Sequence, residues 1–195
     1  MNTSRPEPRQ WSWARTLDDV AERRRHIEPL IGARLTAVRY YLCDYDREER
    51  SPELVGAGPI FVEGPEPLWR CDGFDSLDYG LELETDSGLI YSLTWDPLGD
   101  REGIGLRRIP MLGSGVQADA DITVWRGGEI WPLGVPFTDI RLHYEPYPPG
   151  FWCPRISFHW RDRKLEVILG ESADGVLVPS ADNVAVLYPE TELPG

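Results

Sequence analysis

Lysine is almost missing from this chain. Lys164 is the only one among 20 basic residues, and arginine supplies the rest. With 19 Gly and 18 Pro, that bias suits a GC-rich bacterial genome. Cysteine is scarce as well: Cys43, Cys71 and Cys153 form no CxxC pair, which argues against a compact zinc site and fits reduced thiols. The three histidines, His26, His143 and His159, show no H-x3-H or HExxH spacing, so no metal centre is expected. No apolar run approaches the ~20 residues of a membrane helix. The opening MNTSRPEPRQ lacks the apolar stretch of a secretory leader, which makes a cytoplasmic location the expectation. Positive charge is also short. Asp and Glu number 33 against those 20 cations, a net charge of −13, which repels nucleic-acid phosphates and anionic lipid and favours a basic protein partner.

What the chain does have is β-forming material and a faint repeat. Aromatic residues make up 11 %, with eight Trp, and the turn formers are spread throughout. Residues 29–42 (PLIGARLTAVRYYL) and 131–144 (WPLGVPFTDIRLHY) share Gly32/Gly134, Thr36/Thr138 and Arg39/Arg141, with Leu35/Phe137 and Val38/Ile140 matching in character. Self-similarity of this kind shapes the whole fold. Each copy precedes an apolar-alternating hairpin. In the first, a loop of Asp86, Ser87 and Gly88 sets Leu83 against Tyr91 and Leu81 against Leu93, with glycine where a left-handed residue is wanted. In the second, a loop from Arg161 to Lys164 would set Trp160 against Leu165 and His159 against Glu166. A short apolar segment follows each hairpin, DITVW with Ile122 and Val124, then NVAVLY with Val184 and Val186, as a candidate fourth strand.

The expected fold is mainly β: two similar antiparallel modules of three to four strands, packed as a sandwich or a curved barrel-like sheet, with one N-terminal helix. Residues 1–15 read as a loose arm, 16–125 as the helix plus first module, and 126–195 as the second module, all within one compact domain. Thr16 caps the helix, Asp18 and Asp19 occupy its first turn, and Pro29 stops it. An apolar stripe of Leu17, Val20, Ala21 and Ile27 is expected to face the core. The strand at 34–42 alternates Thr36, Val38, Tyr40 and Leu42 inward. Residues 43–76 form a long charged connection, strand-like only at Ile60–Val62, and the glycines of 99–108 read as a loop that matches no phosphate-binding motif.

The chemistry-bearing residues are few. A His159–Glu166 pair could serve as a general base, with Ser157 on the same face, but no nucleophile elbow surrounds it. No cofactor is implied. The remaining signal is surface: Glu82, Glu84 and Asp86 on the first hairpin, with Asp72, Asp75, Asp78, Glu48 and Glu49 before it, as an acidic face, and Tyr147, Phe151 and Trp152 as an aromatic anchor. The expectation is a non-enzymatic binding protein that engages a basic partner, of the toxin-immunity or inhibitor kind. The alternative is a small-ligand domain with an aromatic-lined pocket between the modules.

Overall fold

The computed structural model describes residues 11–56, 58–62, 69–98, 101–113, 121–127, 129–179 and 183–188. Helix α1 spans Leu17–Ile27. The Thr16 hydroxyl accepts from the Asp19 amide at 3.2 Å, and the Asp19 carboxylate accepts from the Thr16 amide at 3.0 Å, so two orphan donors are satisfied reciprocally. Pro29 turns the chain into a 3₁₀ segment, Glu28–Leu30. Val20 and Ile27 are buried as expected, but Leu17 is 69 % exposed. Arg23 is buried instead, with its guanidinium 4.7 Å from the Trp11 ring centre.

The strands are β1 (Trp13–Ala14), β2 (Leu35–Cys43), β3 (Ile60–Val62), β4 (Arg70–Cys71), β5 (Phe74–Leu77), β6 (Gly80–Thr85), β7 (Ile90–Leu98) and β8 (Arg101–Arg107). They continue as β9 (Ile122–Arg126), β10 (Asp139–Tyr147), β11 (Gly150–His159), β12 (Lys164–Leu169), β13 (Glu171–Ala173), β14 (Val176–Val178) and β15 (Val184–Leu187). A single helical turn, α2 (Arg47–Arg50), lies between β2 and β3. One sheet runs β3-β9-β2-β6-β7-β8; the other runs β1-β11-β12-β15-β5-β4, with β10 on the remaining side of β11. The sheets pack together and do not close into a barrel.

The repeat is visible in the ladders. Strands β2-β6-β7-β8 and β10-β11-β12-β15 are antiparallel meanders in the same order and register. Val38 faces Leu83, which faces Tyr91; at the matched positions Ile140 faces Phe158, which faces Leu165. Leu93 faces Leu106 as Val167 faces Val186. The copies also touch reciprocally. The Gly32 amide donates to the Phe137 carbonyl and the Gly134 amide to the Leu35 carbonyl, both at 2.9 Å. Arg34 bridges its own counterpart, Pro136. Matched residues bonding to each other in exchange define a local two-fold axis. Both glycines need the left-handed region there, with φ of +86° and +75°.

Leu83, Tyr91, Phe158 and Val167 are all 0 % exposed, so the two apolar ribbon faces share one interior. A bulge between Leu35 and Ala37 moves Thr36 to the surface and Leu35 into the core, against the expected alternation; Phe137 is likewise buried and Thr138 exposed.

Four expectations are corrected by this topology. The fourth strand of the first module is β8, read from sequence as a loop, while β9 lies on the other side of β2. Gly103 permits β8 to pass tightly, since a Cβ there would sit 2.7 Å from the Ser12 Cβ. Strands β4 and β5 leave the first module and extend the second sheet, β5 pairing with β15, so the modules interlock. Residues 11–15 are no loose arm: Trp13 and Ala14 pair with β11, and Ser12 is buried. The rest of that arm, residues 1–10, lies outside the described residues.

Candidate functional site

The expected acidic face does not assemble on one surface. Asp75 is fully buried, 3.0 Å from the Tyr40 hydroxyl and 2.6 Å from the Tyr188 hydroxyl, both of which donate to it. Trp131 Nε1 donates in turn to the Tyr40 oxygen at 2.7 Å, so a polar chain links the two sheets. Burial pushes the Asp75 carboxyl above its ordinary range, partly offset by these hydrogen bonds. Glu82 is buried under the 3₁₀ turn Met111–Gly113, where it accepts from the Met111 amide at 2.9 Å. Arg39 bridges Glu82 and Glu84 at 3.1 and 2.6 Å. Asp86 accepts from the Arg34 amide and lies 3.6 Å from its guanidinium. Asp78 accepts from the Cys43 amide at 2.9 Å, and burial raises its pKa. Of the eight carboxylates, Glu48, Glu49, Asp72 and Asp86 are exposed.

The aromatic anchor is half-buried. Trp152 packs on the main core and pairs with Trp13 across β1–β11, with Tyr147 edge-on to Trp13 at 6.3 Å. Phe151 is also of intermediate burial. At the centre of the interior the rings meet one another: Trp131 lies 5.6 Å from Phe158 and 6.3 Å from Trp160, and Phe137 lies 4.9 Å from Trp160.

The second hairpin pairs Phe158 with Leu165 and His159 with Lys164, two residues away from the expected register. Glu166 therefore lies opposite Ser157 and binds Arg155 and Lys164 at 3.4 and 3.3 Å; the expected His159–Glu166 cross-strand pair is not formed. A different polar chain occupies this face. Arg155 Nη2 lies 3.4 Å from His143 Nδ1, and Ser157 Oγ lies 2.8 Å from His143 Nε2 and 3.1 Å from His159 Nε2. Arginine can only donate, so Nδ1 of His143 accepts, its Nε2–H donates to Ser157, and the serine hydroxyl is left to donate to His159. Both imidazoles are held neutral, their pKa values lowered first by burial and then by neighbouring arginines, Arg155 for His143 and Arg141 for His159. Ser157 is 1 % exposed. Among the described residues no group of three or more His, Cys, Asp or Glu side chains is placed to hold a metal ion.

The site that emerges is the excursion between β2 and β3, where the second copy has only a short turn. It is pinned by Arg47, whose side chain is 1 % exposed. Its Nε donates to Asp44 at 3.1 Å, Nη1 to the Gly58 carbonyl at 2.8 Å and to Asp121 at 2.7 Å, and Nη2 to the Ile122 carbonyl at 2.7 Å. Asp121 also accepts from the Gly56 amide at 2.9 Å. The excursion so fixed carries Tyr45 (79 % exposed), Val55 (51 %) and Phe61 (67 %). Asp46, Glu48, Glu49 and Glu53 are exposed along the same stretch. Sequence reading found Glu48 and Glu49 but missed Arg47; one arginine inside DYDREER carries no signal that it is buried.

No protein-family model matches the chain, and neither does any curated protein or solved structure.

Proposed function

We propose that this chain is a non-enzymatic bacterial binding protein that engages a basic protein partner through the 44–62 excursion, in the manner of an inhibitor or toxin-immunity protein acting in the cytoplasm. The observation that supports this reading most is the combination at that excursion: exposed Tyr45, Val55 and Phe61 among four carboxylates, on a backbone held by a buried arginine. Rigid aromatic anchors supply contact area at low entropic cost, and surrounding charge of one sign steers an oppositely charged partner. Large apolar side chains left in water on a segment so firmly anchored are explained by a partner that covers them. The net charge of −13 disfavours nucleic acid in the same role.

The test is amide-exchange mapping of the complex with a basic protein, beginning with the product of the neighbouring gene. Protection is expected at 44–62. Affinity is expected to fall steeply with salt, and the double reversal Glu48→Lys/Glu49→Lys to weaken binding at least about tenfold. Binding that survives both the reversal and Phe61→Ala would remove the excursion from the interface.

A further inference from the structure

A groove of about 630 Å³ lies between α1 and β10. Every residue from Asp139 to Glu145 borders it. Side chains alternate in direction along a strand, so a groove bordered by seven consecutive residues follows the strand's edge; Arg155 of β11 borders it too, so one end also reaches over the outer face. Among the described residues β10 pairs only with β11. Alternate N–H and C=O groups of β10 therefore face the groove with no described strand to receive them.

The first copy of the repeat shows what such an edge accepts. Strand β2 is the counterpart of β10, and β6 of β11. On its other edge β2 carries β9 antiparallel, with Tyr41 opposite Val124, Leu42 opposite Thr123 and Cys43 opposite Ile122. The matched residues of β10 are His143, Tyr144 and Glu145, and no described strand lies beside them. The far wall there is α1 and the turn after it, with Arg24, Glu28 and Ile31.

We infer that β10 receives an extended segment of a partner protein by strand addition, running antiparallel to β10 as β9 runs to β2. The bordered stretch is about 23 Å long at strand rise, room for roughly seven residues. Main-chain hydrogen bonds to the open edge supply the affinity, and alternate side chains read the walls. Ile31, 47 % exposed, offers an apolar contact to a β-branched residue of the segment. Glu28 and Glu145 both border the groove and neither is paired with a cation among the described residues, while Arg141 and Arg155 are held by Asp139 and Glu166; the segment therefore carries Lys or Arg facing the two glutamates and a polar or acidic residue beside Arg24. This inference stands on the edge and the repeat and is independent of the excursion at 44–62.

The experiment selects binders from a phage-displayed random heptapeptide library on the full chain, then maps the best synthetic peptide by NMR amide exchange. Selected sequences are expected to be rich in Val, Ile and Thr with Lys or Arg, and to protect amides within 139–145. N-methylation of the peptide at one alternating set of backbone amides is expected to weaken binding about tenfold or more, while methylation of the intervening set has little effect. Glu145→Lys, at an exposed position, is expected to weaken a lysine-bearing peptide several-fold without altering the spectrum of the free protein. Failure to select any peptide, protection elsewhere such as 44–62, or indifference to N-methylation at every position would each overturn the inference.

Discussion

Replacing Arg47 by leucine tests how the excursion is held. The guanidinium is buried and makes four hydrogen bonds, two to the carboxylates of Asp44 and Asp121 and two to backbone carbonyls. Leucine fills part of the volume but takes the Arg47 guanidinium away from two carboxylates whose side chains are 8 % and 19 % exposed. Removing one member of a buried ion pair costs about 3–5 kcal/mol. The Asp121 side chain can regain some water, which places the expected loss near the lower end of that range. The cost is local first, because Arg47 ties the excursion to β9 and not to the shared interior. Amide exchange is therefore expected to accelerate at Gly56 and Ser51, whose amides bond to Asp121 and to the Arg47 carbonyl, before the β6–β7 ladder is affected. Arg47→Lys keeps the charge but cannot reach four acceptors at once, and is expected to fall between wild type and leucine. A leucine variant within about 1 kcal/mol of wild type in denaturant unfolding, with Gly56 protection unchanged, would refute the anchoring role and weaken the proposed binding surface with it.

Three further outcomes follow from the buried polar groups and the close contacts. Tyr40→Phe leaves Trp131 Nε1 without its acceptor and takes from Asp75 one of its two hydroxyl donors, Tyr188 remaining, and is expected to cost about 1–3 kcal/mol in urea unfolding; a shift under 0.5 kcal/mol, roughly the noise of surface substitutions, would mean that the chain across the sheets contributes nothing. His143 and His159 both have pKa values depressed below 6.5 in the fold. The unfolded chain takes up their protons first, so stability is expected to decline as pH falls through 6.5 and to level off below the folded values. The slope should shrink in the double variant His143→Gln/His159→Gln, and an unchanged slope would contradict the neutral assignment. Gly103→Ala drives a Cβ into Ser12, and is expected to destabilise by about 1–3 kcal/mol through displacement of β1; a thermal midpoint equal to wild type would show that this contact yields freely.

What could be read from the sequence was local. The first hairpin came out in register because Gly88 fixes its turn, with φ of +76°. The second slipped by two because nothing in Arg161–Lys164 sets a loop length. A slip of two leaves every side chain on its own face, so Phe158 and Leu165 were still assigned inward correctly, whereas the His159–Glu166 pair depended on the register and was lost. Strand β8 was hidden by Gly103 and Gly105, and the lack of a side chain at Gly103 answers to Ser12 and Cys153, far away in sequence. Strand β5 was hidden because its partner, β15, lies about a hundred residues on and belongs to the other copy. The carboxylates suffered in the same way. Nothing near Asp75 announces Tyr40 or Tyr188, and nothing near Glu82 announces Met111. Charge is written in the sequence; burial of charge is decided by distant partners.

The most direct measurement on the whole account is native-state amide exchange at the centres of the two ribbons, Leu83 and Tyr91 in one, Phe158 and Val167 in the other. If their apolar sides close over a single interior, all four amides should open with the same free energy and the same dependence on denaturant. Two distinct opening energies, with one meander released while its counterpart stays protected, would show two independent units and contradict the shared interior on which the site geometry rests.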